Sequence, residues 1–137
     1  MELRSRMRAD RLRNNEHEFD SIASTKNLFP NTPIYFFFEL GTDRLTDKSQ
    51  LVNLDEIAQV VNEQNIVIRM DGAADKATGS SEINKDLSRK RARYIWLELK
   101  KHGVDAKQMK AFWHGGVDEH DRNEEDRNTH VSEYTGK

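Results

Sequence analysis

The segment that decides the fold covers residues 71–92 and reads DGAADKATGSSEINKDLSRKRA. It directly follows Ile66-Val67-Ile68-Arg69-Met70, a short β-prone run that predicts a strand. The polar, glycine-containing part from Asp71 to Ser80 predicts a loop at the end of that strand. Loops at strand ends often carry binding residues, so the sequence places a candidate site between this strand and the element that follows it.

A long helix is predicted after the loop. Ser80 or Ser81 can cap its first turn, and Gly103 is a typical terminator after about His102. The residues that form its predicted core face are Leu87, Ala92, Ile95, Trp96 and Leu99. A second stripe has the spacing i, i+3, i+4, i+7 and consists of Asn84, Leu87, Ser88 and Arg91. Because this stripe descends from the Asp75 loop along one side of the helix, its polar members are candidate ligand-binding residues.

Further elements flank this central unit. Before it lie an aromatic strand, Ile34 to Phe38, expected to be apolar on both faces, and a helix capped by Asp47 or Ser49. After it come a third strand, Lys110 to His114, and a last, partly exposed strand, Asn128 to Tyr134. The order strand, helix, strand, helix, strand, strand predicts an α+β fold, an α/β sandwich with two main helices on a mixed four-stranded sheet.

The composition fits one compact domain. The chain has 137 residues, of which 35% are hydrophobic, enough for a single core. Charged residues make up 34% of the chain but nearly cancel to a net charge of -2, so the overall charge predicts no binding to a polyanion. The absence of cysteine excludes disulfides, thiolate zinc sites and a cysteine nucleophile. No apolar run approaches the roughly 18–20 residues that a membrane-spanning helix needs.

The central segment resembles the signature of the OmpA-like family. In that signature a glycine, a two-residue gap and an aspartate precede Gly-Ser and a helix that reads Asn-x-x-Leu-Ser-x-x-Arg-Ala. The matching residues are Gly72, Asp75, Gly79, Ser80, Asn84, Leu87, Ser88, Arg91 and Ala92. The resemblance implies the family's fold and a domain that holds the diaminopimelate of the peptidoglycan stem peptide, without a cofactor and without cutting a bond.

The resemblance also implies which residues bind. Asp75 corresponds to the family's ligand-binding aspartate and Arg91 to its arginine. This pairing suits diaminopimelate, whose zwitterionic end offers an ammonium to a carboxylate and a carboxylate to a guanidinium. Further expected contributors on the loop, the helix and the last strand are Gly79, Asn84, Ser88, Arg127, Asn128 and His130.

Three departures from the signature support a second hypothesis. Ala73-Ala74 replace the usual His or Tyr followed by Thr, and one extra residue separates Asp75 from Gly79. The late Asn-Arg-Arg-Val motif reads Asn128-Thr129-His130-Val131, so its arginines are missing, although Arg127 or His130 could substitute. The alternative function is therefore a degenerate module that mediates protein-protein assembly in the cell envelope without binding peptidoglycan.

The rest of the chain fits this envelope interpretation. Residues 1–32 alternate basic and acidic side chains and are interpreted as a charged linker or helix, and residues 33–137 as the OmpA-like domain. We expect a periplasmic location, a domain that is not itself inserted in a membrane, and fusion to an outer-membrane part in a longer protein whose leader has been removed. The expected partners are the peptidoglycan stem peptide and other envelope proteins.

Other chemistries have weaker support. A cluster with metal-binding side chains, His114, Asp118, His120 and Asp121, lies in one polar stretch and is more typical of a solvated loop. No serine has the sequence context of an activated nucleophile, so no enzyme is predicted. The basic residues of the long helix are spread around it, which disfavours nucleic acid as a partner.

Overall fold

The computed structural model describes residues 29–77, 79–120 and 122–136. The strands are β1 (Ile34–Phe37), β2 (Ile68–Asp75), β3 (Met109–Val117) and β4 (Asn128–Glu133), and the two long helices are α1 (Val52–Gln64) and α2 (Ser81–Lys101). Short 3-10 helices cover Lys48–Leu51, Ala106–Gln108 and Asn123–Asp126. Most of the predicted N-terminal linker, residues 1–28, lies outside the described residues.

The four strands form one mixed sheet in the order β1-β4-β2-β3. β2 and β3 are parallel, whereas β4 is antiparallel to both β1 and β2. Two helices packed on a mixed four-stranded sheet confirm the predicted α+β fold.

The core lies between the sheet and the two helices. Met70 and Val131 are register partners on β2 and β4, and both are fully buried. The spacing of three and four residues predicts a buried face on α1 that consists of Leu51, Leu54, Ile57, Ala58 and Val61. The last four are buried, whereas Leu51 is only partly buried and belongs to the preceding 3-10 helix. On α2, the apolar residues that enter the core are Ala92, Ile95 and Leu99, whereas Leu87 and Trp96 are only partly buried.

Gly72 determines how closely α2 approaches β2. A Cβ atom at this position would lie 2.0 Å from the backbone oxygen of Ser88 and 3.0 Å from the Cβ of Ala92. Only glycine leaves room for the helix at this distance. Arg91 lies between Ser88 and Ala92 on the helix, so the close approach places it beside the end of β2.

The predicted boundary of the second strand was wrong. That strand was expected to end at Met70 and to be followed by a loop from Asp71, but β2 runs from Ile68 to Asp75. Its last residues continue the ladder, because Ala74 and Asp75 are register partners of Gly116 and Val117 on β3. Asp75 is therefore the last residue of a strand and not part of a loop.

Of the remaining strands, β1 is apolar on both faces as expected, whereas β3 and β4 differ from expectation. β1 is an edge strand that buries Phe36 in the core, whereas Tyr35 and Phe37 are half-buried on the sheet face turned away from the helices. β4, expected to be partly exposed, lies inside the sheet between β1 and β2. β3 extends beyond His114 to Val117, with a register shift where Gly115 adopts a φ of 71°.

Candidate functional site

A cleft of about 440 Å³ opens at the end of β2, beside the first three turns of α2. Its size is within the range of small-molecule sites. Its lining combines apolar groups with acids and bases: Gly41, Ala74, Asp75, Gly79, Glu82, Ile83, Asn84, Asp86, Leu87, Lys90 and Arg91. A cleft with this lining can hold a ligand that has an aliphatic part and a charged end.

Asp75 and Arg127 form a buried ion pair at the edge of this cleft. The Nε atom of Arg127 donates to Oδ2 of Asp75 at 2.6 Å, and the Asp75 side chain is only 3% exposed. Arg127 immediately precedes β4, so the pair ties the end of β2 to the start of β4. Of the two residues suggested as substitutes for the missing arginines, Arg127 is therefore the one that reaches Asp75.

Arg91 is buried and bound to the backbone. Its Nε donates to the carbonyl of Thr42 at 2.8 Å, Nη1 to that of Ala73 at 2.9 Å and Nη2 to that of Glu39 at 3.1 Å. These bonds take three of the five N–H groups of the guanidinium. Arg91 thereby fastens the segment after β1 to the end of β2, and this segment supplies the Gly41 wall of the cleft.

The charge of Arg91 is maintained despite its burial. Desolvation lowers the pKa of Arg91 to about 10, and the nearby carboxylate of Asp75 opposes that change. The positive charge of Arg127, like burial, lowers the pKa of Arg91. At neutral pH Arg91 therefore remains protonated and places a positive charge at the base of the cleft.

The other predicted residues of the loop and helix separate into two groups. Gly79 and Asn84 line the cleft, and the Asn84 amide nitrogen lies 3.5 Å from the Gly79 carbonyl oxygen. Ser88 instead faces β3: its hydroxyl donates to the Lys85 carbonyl at 2.8 Å and accepts from the Gly115 N–H at 2.9 Å. Ser88 thus fixes α2 to β3 and is not part of the cleft lining.

Asn128 and His130 lie away from the cleft, on the sheet face turned away from the helices. The His130 ring is 5.0 Å from the Tyr35 ring, and its Nδ1 is 3.0 Å from the side-chain oxygen of Asn128. Burial lowers the pKa of His130, and the carboxylate of Asp71 opposes this shift. The structure therefore brings together Asp75, Arg127 and Arg91, but not the two predicted residues of β4.

Sequence reasoning missed the apolar and charged rim of the cleft. Ile83, a large aliphatic side chain at its edge, is 60% exposed. Next to it, Lys90 and Asp86 form an ion pair at 3.2 Å, one helical turn apart. The sequence could have indicated these rim residues by their spacing. Ile83, Asp86 and Lys90 are three to four residues apart along α2 and lie beside the stripe of Leu87 and Arg91.

A second charged network that the sequence did not reveal surrounds Asp71. Arg69 donates to both carboxylate oxygens at 2.9 and 2.7 Å, and His114 lies 2.7 Å from Oδ1. Burial alone would raise the pKa of Asp71, but the hydrogen bonds from Arg69 and His114 outweigh it, so its pKa is below the ordinary value. His114, discounted as a metal ligand, is thus occupied by a carboxylate.

Another member of the discounted metal cluster, His120, also contacts a carboxylate. His120 Nδ1 lies 2.6 Å from the buried carboxylate of Asp126, and this hydrogen bond raises the pKa of His120. Asp121 lies outside the described residues. Within residues 29–77, 79–120 and 122–136, no group of three or more acidic, histidine or cysteine side chains is arranged to hold a metal ion. Over the same residues no helix is long and apolar enough to cross a membrane.

Curated relatives of the chain are outer membrane proteins. Outer membrane protein 41 of Porphyromonas gingivalis is 33% identical over 99 residues, which cover 72% of this chain and 24% of that protein. Outer membrane protein 40 of the same organism is 29% identical over 83 residues, which cover 61% of this chain and 22% of that protein. The chain therefore spans about a quarter of the length of these relatives.

Solved structures share the fold. The peptidoglycan-associated lipoprotein of Burkholderia pseudomallei is 24% identical with a TM-score of 0.65, covering 73% of this chain and 89% of that one. The OmpA-like domain of FopA1 from Francisella tularensis is 18% identical with a TM-score of 0.62, covering 72% and 70%. The C-terminal domain of Helicobacter pylori MotB is 19% identical with a TM-score of 0.62, covering 77% and 86%. Because residues 37–131, well over half of the sequence, also match the OmpA family itself, the chain belongs to the OmpA family.

Proposed function

We propose that this domain binds peptidoglycan non-covalently, with the end of a diaminopimelate side chain in the cleft beside β2. The observation that carries the proposal is the joining of Asp75, Arg127 and Arg91 at the charged end of a cleft that has an aliphatic wall. Diaminopimelate has the matching form, an aliphatic chain that ends in a zwitterionic amino acid. Membership of the OmpA family supports the same choice.

Each part of the ligand has a counterpart in the cleft. Ile83 and Leu87 supply an apolar wall for the methylene groups. The carboxylate of Asp75 attracts the terminal ammonium, and the buried positive charge of Arg91 attracts the terminal carboxylate. Lys90 and Asp86 at the rim add one charge of each sign. These groups bind and orient the ligand, and the proposed activity is attachment without catalysis.

Retention on purified sacculi tests the proposal. The Asp75→Asn variant keeps the shape of the side chain but loses its charge, and we expect its affinity to fall about tenfold. Glu56→Gln is the matched control, because Glu56 is exposed on α1 and lies outside the cleft lining. Equal retention of the two variants would overturn the assignment of the cleft.

Soluble competitors identify the recognised group. Free diaminopimelate should release the domain from sacculi, whereas lysine, which lacks the second carboxylate, should do so much less effectively. Equal competition by the two compounds would show that the domain does not recognise the second carboxylate of diaminopimelate. Sacculi incubated with the domain should release no soluble fragments, and release of fragments would contradict a non-catalytic role.

Protein-protein assembly is the second candidate, and one observation favours it. Asp75 is already neutralised by Arg127, and Arg91 already binds three carbonyl oxygens, so internal partners satisfy much of the site's charge. Under this second candidate function, the domain has kept the fold but no longer binds diaminopimelate. Failure to bind any sacculus, together with a stable complex with another envelope protein, would select this function.

We further propose that residues 33–137 act as the wall-binding domain of a longer, periplasm-facing envelope protein, and that residues 1–32 link it to an outer-membrane part. The similarity to two outer membrane proteins and the small share of their length that this chain covers support this arrangement. Cell fractionation of the full gene product tests it, and recovery in the cytoplasm would refute it.

A further inference from the structure

A small niche with two arginines and two tryptophans lies on the side of α2 that faces the edge strand β3. It has a volume of about 190 Å³ and is lined by Arg89, Arg93, Trp96, Ala111 and Trp113. Arg89 and Arg93 lie one helical turn apart, and Arg89 Cζ is 5.9 Å from the centre of the Trp113 ring. Trp113 is 41% exposed although it is one of the largest apolar side chains. None of these residues contributes to the cleft at the end of β2.

The arginines of the niche are not neutralised internally. Within the described part of the chain neither Arg89 nor Arg93 forms an ion pair, and the nearest acid on this stretch of α2, Asp86, pairs with Lys90. Two like charges one turn apart weaken a helix slightly, and an anion bound by both would offset this repulsion. Guanidinium groups favour carboxylates and other flat oxyanions because they can donate two parallel hydrogen bonds.

We propose that Arg89, Arg93, Trp96 and Trp113 form a second binding site, for an acidic saccharide. The sugar ring lies against the exposed indole of Trp113, whose flat apolar face suits the C–H face of a pyranose. The carboxylate of the sugar lies between the two guanidinium groups. The volume of the niche is below the usual range for whole ligands, which suits recognition of a single sugar unit of a polymer.

The chemistry of the niche also admits a nucleic acid, with a base on the indole and a phosphate between the arginines. Two observations favour the saccharide. Strand-tracking nucleic acid sites need an extended run of cations, whereas this niche offers two, and the chain as a whole is slightly acidic. The choice of a sugar also rests on the proposed function, since the carboxylate of N-acetylmuramic acid is free on glycan strands from which the stem peptides have been removed.

The two tryptophans of the niche are the only two in the chain, so both indole N–H signals in an NMR spectrum report on this site. We would titrate the protein with N-acetylmuramic acid and, as the matched neutral sugar, with N-acetylglucosamine. We expect N-acetylmuramic acid to shift both indole signals and to bind about tenfold more tightly than N-acetylglucosamine. Equal affinity for the two sugars, or no shift with either, would overturn the proposal.

Variants separate the two contributions. The double variant Arg89→Gln with Arg93→Gln should bind N-acetylmuramic acid only as weakly as N-acetylglucosamine, whereas Trp113→Ala should weaken both. Lys100→Gln, an exposed change on the same helix outside the niche, should alter neither. Unchanged discrimination in the double arginine variant would refute the role of the guanidinium groups, and tighter binding of an oligothymidylate than of N-acetylmuramic acid would assign the niche to nucleic acid.

The cleft and the niche can fail independently. The Asp75→Asn variant should lose retention on sacculi but keep the indole shifts with N-acetylmuramic acid. Loss of those shifts in Asp75→Asn would contradict a separate second site. Retention on sacculi that depends on Asp75, without any indole shift, would leave the proposed function standing and remove this inference alone.

Discussion

Asp71 and Asp75 lie in the same strand, and each is almost completely buried and bound to an arginine, yet only Asp75 lines the cleft. The partner of Asp71 is Arg69, two residues away on the same strand, and His114 completes its network. The partner of Asp75 is Arg127, 52 positions away in the sequence. The first pair is a local network on one sheet face, whereas the second ties two strand ends together beside a cavity. The same chemistry therefore marks a structural contact in one place and a candidate site in the other, and only the surroundings distinguish them.

The largest expected effect concerns the arginine at the base of the Asp75 site. Arg91→Ala leaves the carbonyls of Glu39, Thr42 and Ala73 without these donors and removes one of the two positive charges near Asp75, whose ion pair with Arg127 remains. We expect the free energy of unfolding to fall by about 3–5 kcal/mol. Urea denaturation measures this loss. Arg93→Ala, the same change at an exposed position of the same helix, should stay within about 0.5 kcal/mol, and an equal loss in the two variants would contradict the backbone role of Arg91.

Gly72, located between the two aspartates, gives the next largest effect. In Gly72→Ala the new methyl group meets the backbone oxygen of Ser88, so α2 must move away from β2. We expect a loss of about 3 kcal/mol in thermal or urea unfolding, because a helix backbone cannot yield as a flexible side chain does. Gly103→Ala has open space around its new methyl group and strains only its own φ of 94°, so it should cost less, about 1 kcal/mol. A smaller loss at Gly72 than at Gly103 would refute the close approach.

The comparison of the two aspartates can be tested directly with the same substitution at each. Asp71→Asn and Asp75→Asn should both lower the free energy of unfolding, by about 1–3 kcal/mol, because each weakens a buried charged hydrogen bond. Only Asp75→Asn should lower the affinity for sacculi, by about tenfold, whereas Asp71→Asn should leave it unchanged. Urea denaturation and a co-sedimentation isotherm measure the two quantities. If both variants lost affinity in proportion to their lost stability, Asp75 would have no role beyond folding.

The fold could be predicted from the sequence because its signals are local. The cap at Ser80, the terminator at Gly103 and the apolar spacing in α1 each act within a few residues, and the structure has the corresponding boundaries of α2 and buried face of α1. The predicted cap of α1 was wrong, because Asp47 caps the 3-10 helix that precedes α1. The end of β2 could not be predicted in the same way. Ala73 and Ala74 have weak strand preference, and the strand continues to Asp75 because Ala74 and Asp75 pair with β3 while the Ala73 carbonyl accepts a hydrogen bond from Arg91.

The site was only partly predictable, because its contacts join distant parts of the chain. The spacing along α2 predicted that Asn84 and Arg91 lie on one side of the helix, and both line the cleft. This part was predictable because it depends on a single helix. The three carbonyls that bind Arg91 belong to residues up to 52 positions away, and no local pattern indicates them. The alternation of β4 likewise gave no sign of which face His130 would occupy, since a shift of one residue in strand register reverses every side chain.

The smallest expected effect is a difference in pH dependence between His120 and His130. Each of these histidines lies close to one of the two aspartate–arginine pairs. His120 bonds to Asp126, directly before Arg127, and this hydrogen bond raises the pKa of His120. Glu125 and Glu119 add to the same shift. The stabilising contribution of His120 is therefore complete below the unfolded value of about 6.5 and is lost as the pH rises through its raised pKa.

His130, beside Asp71, should behave in the opposite way. Burial lowers its pKa and the charges of His114 and Arg69 add to this, whereas Asp71 and Glu119 only partly compensate. Between its lowered pKa and about 6.5 the folded protein binds fewer protons at this site than the unfolded chain, so His130 makes stability fall as the pH falls through that window. An NMR titration of the ring protons should place the midpoint of His120 above 6.5 and that of His130 below it. Midpoints in the reverse order would mean that the Asp126 contact, and with it the loop that positions Arg127 against Asp75, does not persist in solution.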